Sequence, residues 1–108
     1  MALPLAVKYP QEVEALVDSG YNGELTLSRG VVTALGLPLL GQDKVALADG
    51  SEVLMDTFEA IVLWDGQPRL VVADAADPFC LVGMALLYGQ ELHIRVRVGE
   101  RVMIEPLP

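Results

Sequence analysis

The sequence predicts an all-β domain with one or two short helices, and three observations support this prediction. Short segments rich in Val, Leu and Ile recur along the chain, and such segments are typical of strands. Gly, Pro and Asp-Gly pairs separate them, as turns between strands require. The chain has 108 residues, which is enough for one hydrophobic core. We therefore expect a single domain over residues 1–108.

Explicit hairpin signals join several of the predicted strands. "ADGS" at residues 48–51 and "WDGQ" at residues 64–67 each contain Asp-Gly, a pair that favours the type I′ turn. "VGER" at residues 98–101 marks a third hairpin. The predicted strands cover residues 3–8, 12–17, 24–27, 44–47, 52–63, 69–73, 92–98 and 102–105.

Two segments break the β pattern with helical signals. In "LSRGVVTALGLP", Ser28 can act as an N-cap, and a helix through Leu35 would end at Gly36, before a proline. In "VGMALLYGQ", residues 84–88 can form one or two helical turns before Gly89. Each helix follows an apolar segment that ends at a glycine, "ALVDSG" in one case and "FCLVGM" in the other. This similarity indicates a faint two-fold internal repeat, with an acid in the first copy only.

Charge and composition bear on the expected partners. Fifteen acidic residues against seven basic ones give a net charge of −8, so nucleic acid is not an expected partner. Arg95, Arg97 and Arg101 alternate with apolar residues in "HIRVRVGERV" and are expected on the solvent face of a strand. Hydrophobic residues make up 53% of the chain. This excess favours a second protein surface that covers part of them.

The sequence also argues against metal, thiol and membrane functions. Cys80 and His93 are the only residues of their types, so the usual zinc ligand sets are excluded, while a carboxylate-only calcium or magnesium site stays open. Cys80 lies in the apolar run "PFCLVG" and is expected to be a buried thiol. No apolar run approaches the roughly 18 residues of a membrane span, and "MALPLAVKYP" does not resemble a signal peptide. We expect a cytoplasmic protein that needs no cofactor and has no membrane partner.

The segment "EALVDSGYNGELTL" places an acid where apolar residues would be expected. Asp18 follows directly on an apolar strand, and a carboxylate there is costly unless something uses it. "LVDSG", the "ADGS" hairpin and "CLVGMALL" follow one another in this order. The ordered set resembles the retropepsin-type aspartic proteases, a homodimeric group that includes retroviral proteases and small prokaryotic relatives. The resemblance covers roughly residues 12–98 and is greatest to the prokaryotic type.

The resemblance implies a retropepsin-like half-barrel that acts as a homodimeric aspartic endopeptidase on peptide or protein substrates. In such enzymes two carboxylates hold a water molecule and share one proton. This chain supplies one such acid, so the second would be Asp18 of another copy related by a two-fold axis. The resemblance assigns Asp18, Ser19 and Gly20 to the catalytic loop. The Ser19 hydroxyl would bond the partner's loop, and the Gly20 amide would donate to the carboxylate.

The resemblance also implies a flap and a support for the catalytic loop. The flap hairpin, at about residues 44–57, would close over the substrate and exclude water. Val82 and Gly83 belong to "LVGMALL", which matches the turn that packs under the catalytic loop in this family. Tyr21 stands where the viral members have a small residue. The predicted flap tip consists of Asp49, Gly50 and Ser51.

Two other functions stay open at this point. A chain with the same fold but without useful turnover would be a peptide-binding or assembly module, because fold does not fix function. A hydrolase with Cys80 as its nucleophile would need His93 beside the thiol.

Overall fold

A computed structural model describes residues 2–7, 11–76, 78–99 and 102–108 of the protein. The described chain is mostly β, as the sequence predicts, and it contains two short helices. The strands are β1 Ala2–Ala6, β2 Glu12–Val17, β3 Leu25–Leu27, β4 Leu39–Ala46, β5 Glu52–Trp64, β6 Gln67–Ala75, β7 Leu81–Val82, β8 Gln90–His93 and β9 Met103–Pro106. The helices are α1 Arg29–Leu35 and α2 Met84–Leu87.

Seven of these strands form one sheet in the order β1-β2-β7-β3-β6-β5-β4, and β8 pairs with β9 in a separate sheet of two strands. The short strand β7 lies between β2, to which it is parallel, and β3, to which it is antiparallel. Since β2 and β7 run in the same direction, the segments that follow them leave the sheet at the same end of the strands. The sheet order therefore brings the loop after β2 next to the start of α2.

The core lies on one face of the large sheet and is built from aliphatic side chains. Each Leu or Val that is fully buried contributes about 1.5–3 kcal/mol through its apolar area. Alternation along β2 buries Ala15 and Val17 and leaves Leu16 on the opposite face. The largest fully buried side chains are Leu5, Leu25, Leu27, Leu86, Val7, Val62, Val71 and Val82.

Both helices lie where the sequence predicts them. Ser28 is the N-cap of α1, with its Oγ accepting a hydrogen bond from the Val31 N–H at 3.4 Å, and Gly36 ends the helix with a φ of 60°. The second helix, α2, has no side-chain cap at Gly83 and ends one residue earlier than predicted, with Tyr88 as its C-cap. In the described part of the chain no helix is both long and apolar enough to cross a membrane.

The two Asp-Gly hairpins differ in their turns. At the β5–β6 turn Asp65 and Gly66 have φ of 51° and 75°, and Trp64 pairs with Gln67, so the type I′ prediction is confirmed. At the β4–β5 turn the Gly50 N–H instead donates to Leu47 O at 3.0 Å. This is a three-residue loop with a left-handed glycine, so the type I′ prediction for "ADGS" is wrong.

Two strand predictions are also wrong at their ends. Strand β4 begins at Leu39, five residues before the predicted start at residue 44, because a bulge between Leu39 and Gly41 lets the strand continue past the glycine. Strand β8 ends at His93, so residues 94–98 are not a strand. Their apolar members have no core to cover and are exposed, and Arg95 and Arg97 therefore lie outside any strand face. Arg101 and the end of the "VGER" hairpin lie outside the described residues.

Candidate active site

Asp18 lies at the end of β2, where the chain leaves the sheet beside β7. The Leu16 N–H donates to Cys80 O at 2.9 Å, and the Asp18 N–H donates to Val82 O at 3.0 Å. The β2–β7 pairing thus continues to Asp18 itself and fixes its backbone. The acid is partly exposed in the isolated chain.

The two residues after Asp18 form a tight turn around its carboxylate. The Gly20 N–H donates to Asp18 Oδ1 at 2.9 Å, and the Tyr21 N–H donates to the Asp18 carbonyl at 3.2 Å. A Cβ at Gly20 would lie 3.3 Å from Asp18 Oδ1, which is tight for a side chain. Ser19 and Gly20 are exposed, so this side of the turn is open to another molecule.

Backbone hydrogen bonds attach residues 18–24, called here the Asp18 loop, to the first turn of α2. The helix begins at Gly83 and has no capping side chain, so its first N–H groups need other acceptors. Carbonyl oxygens of the Asp18 loop fill this role. The pairs are Gly83 to Glu24 at 3.0 Å, Met84 to Tyr21 at 2.8 Å and Ala85 to Gly23 at 3.2 Å.

Tyr21 occupies a notch that two glycines leave open. A Cβ at Gly83 would lie 2.6 Å from the Tyr21 ring and 2.2 Å from Gly23 O, and a Cβ at Gly23 would lie 2.5 Å from Tyr21 Oη. The Tyr21 hydroxyl lies 3.1 Å from Leu25 O and 3.2 Å from Asp74 Oδ2. Burial raises the pKa of Tyr21 to about 12, so it is a neutral donor at physiological pH. The sequence shows only that Tyr21 departs from the viral pattern, and the structure places its ring between two glycines.

Asp74 is a half-buried acid that the sequence analysis did not single out. Burial raises the pKa of Asp74, and the hydrogen bond from Tyr21 opposes that change. In the sheet register Asp74 is the partner of Thr26 on β3 and of Thr57 on β5, and both threonines are buried. No local sequence signal marks Asp74, because Tyr21 lies 53 residues away in the chain.

A row of paired residues, two of them leucines and three of them polar, crosses the sheet on the face opposite the core. Residues that pair directly across neighbouring strands point to the same face. Two residues after Leu16, Asp18 follows the same alternation, so its side chain leaves on this face. The row runs Leu16, Leu81, Thr26, Asp74 and Thr57.

Glu24 ties the end of the Asp18 loop to β6. Its Oε1 accepts the Val72 N–H at 3.2 Å, and its Oε2 lies 3.6 Å from the Arg69 guanidinium. The pair is partly exposed, so its contribution to stability is small. Its geometry nevertheless adds a second attachment between the Asp18 loop and β6, beside that of Tyr21.

The predicted flap residues form a separate group at the exposed tip of the β4–β5 hairpin. Asp49 Oδ1 accepts the Ser51 N–H at 2.9 Å and the Ser51 hydroxyl at 2.6 Å. The hydroxyl bond, with the backbone bond, holds the pKa of Asp49 below its ordinary value. Gly50 has a φ of 86°. The structure thus groups Asp18 with Gly20 and Val82 at one place and gathers Asp49, Gly50 and Ser51 at another.

The geometry does not support the Cys80 hypothesis. Cys80 is buried, as predicted, while His93 lies in the separate β8–β9 sheet. His93 Nε2 lies 3.8 Å from carboxylate oxygens of Glu91 and Glu105. These three side chains bring ligand atoms within 4.8 Å of one another, but they remain partly exposed, and a chain with one His and one Cys still lacks the usual zinc ligand sets.

Comparisons with known proteins give a match at the level of fold. No model of a known protein family matches the sequence, and no curated protein sequence matches it. Among solved structures, the fold is similar to that of EIAV protease, a retroviral protease, in complex with the inhibitor HBY-793. The TM-score is 0.68 at 13% sequence identity, over 81% of this chain and 84% of that chain. The described chain therefore has the retropepsin fold.

Proposed function

We propose that the protein is an aspartic endopeptidase that is active as a homodimer. The observation that carries the proposal is the setting of Asp18: a carboxylate at a strand end, bonded by the Gly20 amide at 2.9 Å, in a chain with the retropepsin fold. Each subunit contributes one Asp18. Ser19 is exposed beside it and is free to bond the loop of the second copy.

The chemistry needs two carboxylates around one water molecule. One carboxylate removes a proton from the water while the other, protonated, donates to the carbonyl oxygen of the peptide. Two carboxylates that face one water molecule share one proton between them. A two-fold dimer brings the same loop of both copies together, and this chain then needs no second acid of its own.

Exposed apolar residues support a dimer. Part of this surface lies on the segment that follows α2, and the first turn of α2 is bonded to the Asp18 loop. Covering the exposed apolar residues removes apolar area from water, which favours association. The exposed large apolar residues after α2 are Tyr88, Ile94, Val96, Val98, Met103 and Leu107.

The β4–β5 hairpin is proposed as the flap. It is a long two-stranded projection whose tip residues, Asp49, Gly50 and Ser51, are exposed and bonded to one another. Closure of such a hairpin over a bound peptide excludes water and strengthens the electrostatic interactions at the carboxylates. The flap assignment depends on the dimer, since the cleft lies between the two copies.

The test is digestion of a peptide library over a range of acidic to neutral pH with wild type, Asp18→Asn and Asp65→Asn. Asparagine keeps the shape of Asp18 but cannot shuttle a proton, so Asp18→Asn abolishes cleavage and leaves the dimer folded. Asp65→Asn is the matched control, because Asp65 is an exposed turn residue with a φ of 51° that Asn also adopts. Cleavage that survives Asp18→Asn refutes the proposal.

A second measurement separates the protease from a binding module of the same fold. Peptide affinity is measured beside cleavage, with a statine-type peptide as a mimic of the transition state. A protease binds this mimic more tightly than the matching substrate peptide. Equal binding of both peptides by wild type and Asp18→Asn, without cleavage by either, would instead establish a peptide-binding or assembly module.

A further inference from the structure

We propose that Tyr21 is a positioning residue that fixes the Asp18 carboxylate for catalysis by joining the Asp18 loop to β3, β6 and α2 at once. The inference rests on the proposed function of Asp18 and adds a residue to it. Tyr21 does not act on the substrate in this scheme. It acts through the backbone of Asp18 and through the helix that supports the loop.

The backbone of Tyr21 joins the acid to the helix. Its N–H donates to the Asp18 carbonyl at 3.2 Å, and its own carbonyl accepts the Met84 N–H at 2.8 Å. Movement of Tyr21 therefore changes the turn that carries Asp18 and removes an acceptor from the uncapped start of α2. The two bonds make the position of one residue decisive for both elements.

The side chain of Tyr21 holds that backbone in place. The ring fills the notch between Gly23 and Gly83, where a Cβ on either glycine would overlap it. The hydroxyl reaches Leu25 O at 3.1 Å on β3 and Asp74 Oδ2 at 3.2 Å on β6. Packing thus sets the depth of the ring, and the hydroxyl sets its direction.

The hydroxyl has a second role because its acceptor is a half-buried acid. Asp74 lies between two buried threonines in the sheet register, and loss of a donor leaves its carboxylate short of a hydrogen bond. In Tyr21→Phe the ring still fills the notch, but Asp74 Oδ2 loses the hydrogen bond from the Tyr21 hydroxyl, and water takes the place of the hydroxyl. The loop then loosens around Asp18, and catalysis is sensitive to displacements of about 1 Å.

The catalytic test compares Tyr21→Phe with Asp65→Asn. Asp65→Asn is the control, because Asp65 is an exposed turn residue of the β5–β6 hairpin, outside the segment that follows α2. Rates are expressed per active site, titrated with a tight statine-type inhibitor. We expect Tyr21→Phe to lower kcat about 10- to 100-fold, with KM within about twofold of wild type and a parallel loss of affinity for the transition-state mimic. The control stays at the wild-type values.

Two results would overturn the inference. A role in folding alone lowers the number of titrated sites and leaves kcat per site unchanged. If KM instead rises by as much as kcat is expected to fall, and kcat itself is unchanged, Tyr21 is a substrate contact. Cleavage by wild type that disappears in Asp18→Asn, together with full activity of Tyr21→Phe, therefore refutes the positioning role while the proposed function stands.

Hydrogen exchange tests the attachment without relying on catalysis. Tyr21→Phe should speed exchange of the Asp18, Tyr21 and Met84 amides relative to wild type, while amides of α1 keep their rates. Unchanged exchange at these three amides refutes the attachment. If wild type proves unable to cleave any peptide, the proposed function fails, and exchange alone decides whether Tyr21 fixes the loop.

Discussion

Gly83→Ala is the most direct test of the close packing between the Asp18 loop and α2. The added methyl group would lie 2.2 Å from Gly23 O and 2.6 Å from Tyr21 Cδ2. The new methyl carbon would therefore overlap both a backbone oxygen and a packed aromatic ring. Gly83 is the N-cap residue of α2 and makes no side-chain capping hydrogen bond. The substitution therefore removes no capping interaction.

The geometry sets the size of the effect. Gly23 O must move by about 1 Å to reach van der Waals distance from the methyl group. That movement breaks its hydrogen bond with the Ala85 N–H, now 3.2 Å long, which costs about 1 kcal/mol. Strain from overpacking against the ring adds about 1–3 kcal/mol. We expect Gly83→Ala to lower the free energy of unfolding by about 2–4 kcal/mol.

Gly30→Ala is the matched control and should have the opposite sign. A Cβ at Gly30 meets no heavy atom within 4 Å, and the residue lies in α1. Alanine in a helix is favoured over glycine, so the variant should gain about 0.5–1 kcal/mol.

Urea unfolding at one fixed protein concentration measures both variants. The fluorescence of Trp64 is a suitable probe because it is the only tryptophan and is buried. The midpoint for Gly83→Ala should fall by about 1 M or more with an unchanged slope. A change below about 0.5 kcal/mol with full cleavage activity would show that the notch is loose, and the reasoning about Tyr21 would fail with it.

Four further variants extend these tests. The pKa of Tyr21 rises from 10.0 to about 12 on folding, so the contribution of the neutral phenol to stability is complete below pH 10.0 and is lost as pH rises towards about 12. The free energy of unfolding in urea should therefore decline less steeply at alkaline pH for Tyr21→Phe than for wild type. Parallel curves of stability against pH would contradict this. The raised pKa of Asp74 means that its ionisation opposes folding. Asp74→Asn should therefore gain stability relative to wild type as pH rises from below 3.8 to neutral. A stability difference between the two proteins that does not change with pH would exclude this. Ser28→Ala removes the N-cap of α1 and should cost about 1 kcal/mol in the same assay, unlike Ser28→Thr, which keeps the cap. Gly50→Ala strains a residue with a φ of 86° and should alter peptide KM more than unfolding, if the hairpin tip closes over substrate; an unchanged KM would count against a flap.

Local chemistry explains which elements the sequence could predict. The ends of α1 are set by Ser28 and Gly36, and the β5–β6 turn is set by Asp65 and Gly66. Each depends on hydrogen bonds or dihedral preferences within a few residues. Strand β2 was predicted with its observed bounds, Glu12–Val17, because its alternation ends abruptly at an acid.

Contacts between distant residues explain what the sequence could not predict. The start of β4 depends on pairing with Phe58 across a bulge, and residues 94–98 alternate like a strand although no core faces them. The partnership of Tyr21 with Asp74 crosses 53 residues, so no spacing rule could reveal it. Asp18 is a candidate catalytic residue through family resemblance, because Asp-Ser-Gly alone is an ordinary turn sequence.

The central position of β7 has a consequence for biosynthesis. Leu16 pairs with Leu81, so the strand that holds the position-18 acid in place is synthesised well after β2. Parallel contacts between such distant segments close a long loop and form slowly. A nascent chain that has not yet emerged through residues 81–87 therefore lacks the backbone acceptor and the helix that complete this corner of the fold.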